Sequence, residues 1–427
     1  MRPVLLTALA ACLFVTGCAS PMVGMAERGD SAALSKELRA RLSAHDLSEG
    51  DVTDVAHAVA SRELRTAKGD AQRARVHDVH GCVEPLSSPL GDVVKTRGPG
   101  APYALVSLYE AGELSRGTAR DYLADADPLF RQIGVRTLDG EDDRARRRAA
   151  FLDAHPMVRR AALRAAIDAQ DAGDESALLE AARLDPDAFV RSFAVRALAL
   201  LEKPSPALAN GLADLWEDAD DALREDIALA WSLSPIYEQG GRDALRSLLG
   251  RGHGPGAISG ATAILGGPRA KSDIELAEMS VAVLARHIES GGRRDRVLAL
   301  AVSPLDRPVL LAAVEKAADD ADPDVAVQGL RRLLSLEKTR ARAQTRLEGY
   351  AARKDKAGRD ARTALAAAGD LRIQKWVEED LAATDPSAKV AAARALVLLG
   401  RMPRASLLLT DPDPHVRTAT SCVFLRK

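Results

Sequence analysis

The side chains best suited to chemistry are four cysteines and eight histidines, and one short stretch gathers three of them. In His77-Asp78-Val79-His80-Gly81-Cys82, two imidazoles spaced i and i+3 share a face if the segment is helical, and the Cys82 thiol could follow from its end. Zinc takes about four nitrogen or sulfur ligands. No second cluster with ligand spacing supplies the rest, so no metal is expected. The densest basic run is Arg144, Arg146, Arg147 and Arg148, with Arg159, Arg160 and Arg164 soon after. It could hold an anion, but Glu141, Asp142 and Asp143 lie beside it, and no aromatic residues are interleaved for base stacking. A solvated helix face is expected there, and no nucleic-acid partner. Gly267-Pro268-Arg269-Ala270-Lys271-Ser272 ends like a phosphate-binding loop, yet Ala270 stands where glycine is needed and no strand precedes it. Neither G-x-S-x-G nor H-E-x-x-H occurs, and the acids Glu378-Glu379 suit a polar helix face. These observations lead us to expect no catalytic residue, no metal and no cofactor.

Two of the other three cysteines belong to the N-terminus. Arg2 gives a small positive start, and Val4 to Val15 form an apolar core of about a dozen residues, short of the ~20 that span a bilayer. Val15-Thr16-Gly17-Cys18 follows. The order and spacing resemble the lipobox of bacterial lipoproteins, which implies cleavage before Cys18, acylation of its thiol and an envelope location anchored to a membrane. Ala19 and Ser20 are not the acidic inner-membrane retention signal of such proteins, which implies the outer membrane in a cell that has one. Residues 1–17 are then a signal peptide, which removes Cys12, and residues 18–30 a tether. Cys82 and Cys422 remain. A disulfide needs Cα atoms within roughly 7 Å, and in an elongated molecule these two are expected to stay apart.

The elements that carry these side chains are helical. Hydrophobic residues make up 47% of the chain but aromatics only 3%. The apolar share is largely Ala and Leu, which lose little entropy in a helix. The formal charge of −2 gives no strong overall field. One signature recurs as Asp127-Pro128, Asp185-Pro186, Asp322-Pro323, Asp385-Pro386 and Asp411-Pro412, with His155-Pro156 as a variant. Asp accepts hydrogen bonds from free N–H groups at a helix start, and Pro fits the first helical position, so each pair begins a helix. The segments around Asp185, Pro186, Val190, Arg191, Ala194 and Leu198, and around Asp411, Pro412, Val416, Arg417 and Ala419, resemble short HEAT repeats of the bilin-lyase-like kind. The resemblance covers residues 120–427 and is weak between 205 and 320. It implies an α-solenoid with a concave binding face. Residues 31–119 form a helical cap region, of which 31–95 would cover the open end of the stack. Within it, Leu34, Leu38 and Leu42 make a stripe, Ser48 to Asp51 a capping box, and Gly91 to Pro102 a loop. Gly250 to Gly256 is a possible hinge, near 250–270.

The all-α class leads to a non-catalytic scaffold that binds a protein partner in the envelope along the concave face. The alternatives are a lyase-like accessory protein or chaperone handling a small molecule, and a purely structural envelope protein. In HEAT stacks, arginines such as Arg191 and Arg417 bond to the Asp of an adjacent turn, and Ala391 would interrupt that ladder. Ser192, Gln328, Arg332, Lys389 and Ala392 are expected on the exposed face of the second helices as partner contacts.

Overall fold

A computed structural model describes residues 20–426. Every regular element among them is helical, and helices pair in chain order from end to end. Cys18 and the signal segment lie outside the described residues. None of the described helices is long and apolar enough to cross a membrane.

In each repeat a first helix packs on a second, and the second helices also pack on one another. Helix Pro128–Val135 meets Pro156–Ala169, which meets Ala188–Ala199, then Asp221–Ser232, then Gly254–Gly266. The series continues through Arg293–Val302, Pro323–Leu333, Lys356–Ala367, Pro386–Leu398 and Pro414–Leu425. It does not stop there. Pro414–Leu425 packs extensively on Glu49–Thr66, deep in the N-terminal region. From there the contacts run through Ser87–Lys95 and Ala101–Glu110 back to Pro128–Val135. The expected elongated solenoid is therefore a closed ring, and the N-terminal region covers no open end. It is the segment that joins the last repeat to the first.

The seam is held by several kinds of contact. Cys82 and Cys422 are disulfide-bonded with Cα atoms 5.5 Å apart across 340 residues of sequence, which corrects the expectation that they stay separate. Both are buried among Val76, Val79, Val83 and Leu86. Arg417 holds Glu63 at 2.8 Å, His415 holds Asp78 at 2.6 Å, and Arg426 donates to the carbonyl of Gly81. A linear spacing of repeats carries no information about their accumulated rotation, and that rotation is what brings the ends together.

The local signals in the N-terminal region form as expected. Ser48 and Asp51 make a reciprocal capping box, and Leu34, Leu38, Val52, Val55 and Val59 are buried. The tether is shorter than expected. Pro21–Arg28 is a helix with Met22 and Ala26 buried against the following helices, because its small and apolar residues fall on one face. The loop before Pro102 also shrinks, since helix Ser87–Lys95 occupies its first half. The segment expected as a hinge near 250–270 is a short break between two helices. Gly252, at φ 64°, ends one helix, and Gly254–Gly266 begins two residues later in the middle of the core. Gly256 is needed for that packing, since a Cβ there would lie 2.8 Å from the Trp216 ring.

Candidate functional site

Each second helix has three packed sides, facing its own first helix and the two neighbouring second helices. Its remaining face is the inner surface of the ring, and the register along it follows from the N-caps. Asp127, Asp322 and Asp385 cap their helices through their side chains, with Pro in the first turn, as the sequence predicts. At the other two pairs the caps are Asp187 and Asp413, two residues further on. There Asp185 and Asp411 instead accept from the backbone N–H of those caps. Asp-Pro thus has two uses, and alignment on the dipeptide alone shifts the phase of two of these five helices.

Counted from the caps, the fourth residue is the ladder position: Arg131, Arg159, Arg191, Lys389 and Arg417. Arg159 donates backwards to the carbonyls of Asp153 and Ala154 and forwards to Asp185 at 2.7 Å. Arg131 does the same with Asp153 as its forward partner. Arg191 reaches Asp220 at 3.3 Å. The ladder is not broken at Ala391, because Lys389 occupies the position and pairs with Asp411 at 2.7 Å. Its last member, Arg417, bonds across the seam to Glu63.

Three of the expected partner contacts are therefore structural. Lys389 has only 18% of its side chain exposed and is a ladder member. Ser192 is buried and donates to Asp226. Arg332 is half-buried, donates to the Ser303 carbonyl at 2.5 Å, and has its basicity lowered by burial and by neighbouring Arg331. Ala392 is buried as well. Gln328 is half-buried. The basic run is another correction. Arg147 is fully buried, bonded to Asp174 at 2.6 Å, to Asp171 at 3.0 Å, and to the carbonyls of Leu138 and Gly140. Arg144 bonds to Asp171, holding its carboxyl below the usual range, and Arg148 bonds to Asp174. The run joins two repeats.

The side chains left on the inner face sit at other positions. The ninth residue after the cap is Arg136, Arg164, Arg196, Arg331 or Arg394 in five of the second helices. Arg136 is paired with Glu110, and Arg196 with Asp226. Arg164, Arg331 and Arg394 are exposed, and none has a carboxylate partner among the described residues. Large apolar side chains share this face: Phe189 is 64% exposed, Leu398 49% and Leu229 42%. Glu225 lies among them with its carboxyl pushed up by burial and, less, by Asp226 and Asp221, against the pull of Arg294. Sequence reasoning missed this row because, even where Asp322 and Asp385 cap as expected, the residues of one helix do not say which of its sides the neighbouring second helices cover. Arg331 lies next to Arg332, and Arg394 five residues after Lys389.

Two apolar clefts open on the outer side, between first helices. One of about 480 Å³ has Leu152 and Leu184 on its rim. The other, of about 440 Å³, has Ile274 and Val309. The His77 to Cys82 segment brings no ligand set together, since Cys82 is in the disulfide and His80 lies 3.3 Å from the Ser107 hydroxyl.

No family model matches the chain, and no curated protein matches it. Among solved structures, an engineered protein is similar at 15% identity over 83% of this chain and 99% of its own, with a TM-score of 0.28. A karyopherin, solved bound to the extreme C-terminus of a protein phosphatase, is similar at 12% identity over 93% of this chain and 48% of its own, with a TM-score of 0.34. At that similarity neither name says anything about the partners of this chain.

Proposed function

We propose that the protein is a non-catalytic, membrane-anchored scaffold of the cell envelope that captures a protein partner on the inner face of its helical ring. One observation carries this reading. The inner face leaves Arg164 and Arg331 without carboxylate partners among the described residues and also exposes Phe189 and Leu229, in a molecule whose other arginines are widely engaged in ion pairs and carbonyl bonds. Unpaired guanidinium groups beside apolar side chains are the composition that recognises an acidic, partly apolar segment of polypeptide. The lipobox-like stretch supports the envelope location, and so does the disulfide, since disulfides persist in oxidising compartments. With Cys18 as the lipidated residue, only Ala19 and Ser20 separate it from the first helix, which would hold the ring close to the bilayer.

The test is capture from detergent-solubilised envelope by the full chain and by the variant Phe189→Ser, Arg164→Glu, Arg331→Glu. We expect the triple variant to lose its partner while melting within a few degrees of the parent. Undiminished capture would remove the inner face from consideration. Cys18→Ser should abolish labelling by a clickable palmitate analogue, and equal label on both proteins would contradict the anchor.

A further inference from the structure

A cavity of about 240 Å³ lies at the seam of the ring, and its wall is built from both ends of the chain. His77, His80 and Gly81 come from the N-terminal side. Val390, Arg394, Ala419 and Arg426 come from the last two repeats. Four of these side chains are basic. Arg394 is exposed and has no carboxylate partner among the described residues. Arg426 uses its Nε–H on the carbonyl of Gly81, leaving its terminal N–H groups free to donate. A Cβ at position 81 would overlap that guanidinium, so the glycine makes room for it. His77 and His80 are exposed beside them.

The one carboxylate in the wall is already matched. Asp78 has 4% of its side chain exposed and is held by Arg75 at 3.2 Å and His415 at 2.6 Å. Burial is the largest influence on it and pushes its carboxyl up, against the effect of Arg75 and His415. The mouth of the cavity is thus cationic and its acid lies behind. Guanidinium forks bind phosphate oxygens in pairs and imidazole N–H groups add single donors. The volume exceeds one phosphate, and Val390 and Ala419 give the remaining space an apolar wall.

We propose that this seam cavity binds a phosphate-bearing group attached to a small organic body, held by Arg394 and Arg426 with His77 and His80 as further donors. The phosphate is that of either a free phosphomonoester or a lipid headgroup. This site differs from the partner surface proposed above in ligand and position, and it shares only Arg394 with that arginine row. The probes are glycerol 3-phosphate, titrated calorimetrically into the detergent-solubilised full chain, and phosphatidylcholine vesicles with and without phosphatidic acid, assayed by co-flotation. Arg394→Gln should weaken binding roughly ten- to a hundredfold, the usual effect of losing a charge-assisted hydrogen bond. Arg331→Gln, at the same register but outside the cavity, should leave it unchanged. Arg394-dependent binding of glycerol 3-phosphate identifies a free ligand, and dependence seen only with phosphatidic acid identifies a headgroup. No saturable binding of either probe would overturn the proposal, and so would equal weakening by the two substitutions. Melting curves separate loss of the site from loss of the fold.

Discussion

Removing the covalent link at the seam should lower the stability of the whole ring by a calculable amount. Cys82 and Cys422 close a loop with a sequence separation of 340, and the chain-entropy treatment of such a loop gives about 6 kcal/mol at 25 °C. Most of the chain lies between the two cysteines, so the unfolded state of the double variant Cys82→Ala, Cys422→Ala gains most of that freedom. The folded state keeps its other seam contacts, including Arg417 with Glu63 and His415 with Asp78, and should remain closed. Unfolding entropy near 2.1 cal/mol/K per residue, over roughly 400 residues, makes this a fall of about 7 °C in melting temperature. Differential scanning calorimetry of parent and variant reads it directly. Thiol alkylation of the denatured, unreduced parent should find neither Cys82 nor Cys422 reactive. Melting temperatures within about 2 °C of each other, or both thiols labelled, would refute the reasoning.

Arg147→Ala should destabilise by about 3–5 kcal/mol because it leaves Asp171 and Asp174 short of a buried cation, whereas reversal of exposed Arg146, measured in the same chemical denaturation, should change little. Truncating Leu198 or Leu396 to Ala, both fully buried, should cost about 2–5 kcal/mol each in that assay. Burial raises the Asp273 carboxyl, but the bonds from Arg242 and Tyr237 outweigh it and hold it at about 2. Its contribution, up to about 2 kcal/mol, is present above the unfolded value near 4 and lost as pH falls toward 2. The melting-temperature gap between parent and Asp273→Asn should therefore shrink across that interval, and a gap independent of pH would contradict this assignment.

Much of the architecture was written in the sequence. Asp-Pro pairs mark helix starts by a mechanism, and the alternation of Ala, Leu and Val fixes which elements are buried. Three things were not legible. The first was the phase of the second helices, because Asp can serve as the cap itself, as Asp385 does, or stand two residues before it, as Asp185 does. At Asp322 and Asp385, where the Asp of the pair is itself the cap, the side left open depends on the neighbouring helices, and it presents Arg331 and Arg394 in place of Arg332 and Lys389. The second was the fate of Arg147. A run of arginines beside acids reads as solvated, and only the tertiary fold shows the carbonyls of Leu138 and Gly140 converging on one of them. The third was closure, which depends on small rotations summed over every repeat.

Closure also changes how the molecule can come apart. In an open array of repeats the terminal units have one neighbour each, so melting starts at the ends and travels inward. Here Pro414–Leu425 and Glu49–Thr66 pack as extensively as most adjacent second helices do, and the array has the boundary condition of a circle. No repeat can fray alone. The first break must separate two interfaces at once, which raises the barrier to partial opening and leaves proteases no loosened end. Such a circle trades the easy growth of an open solenoid for persistence.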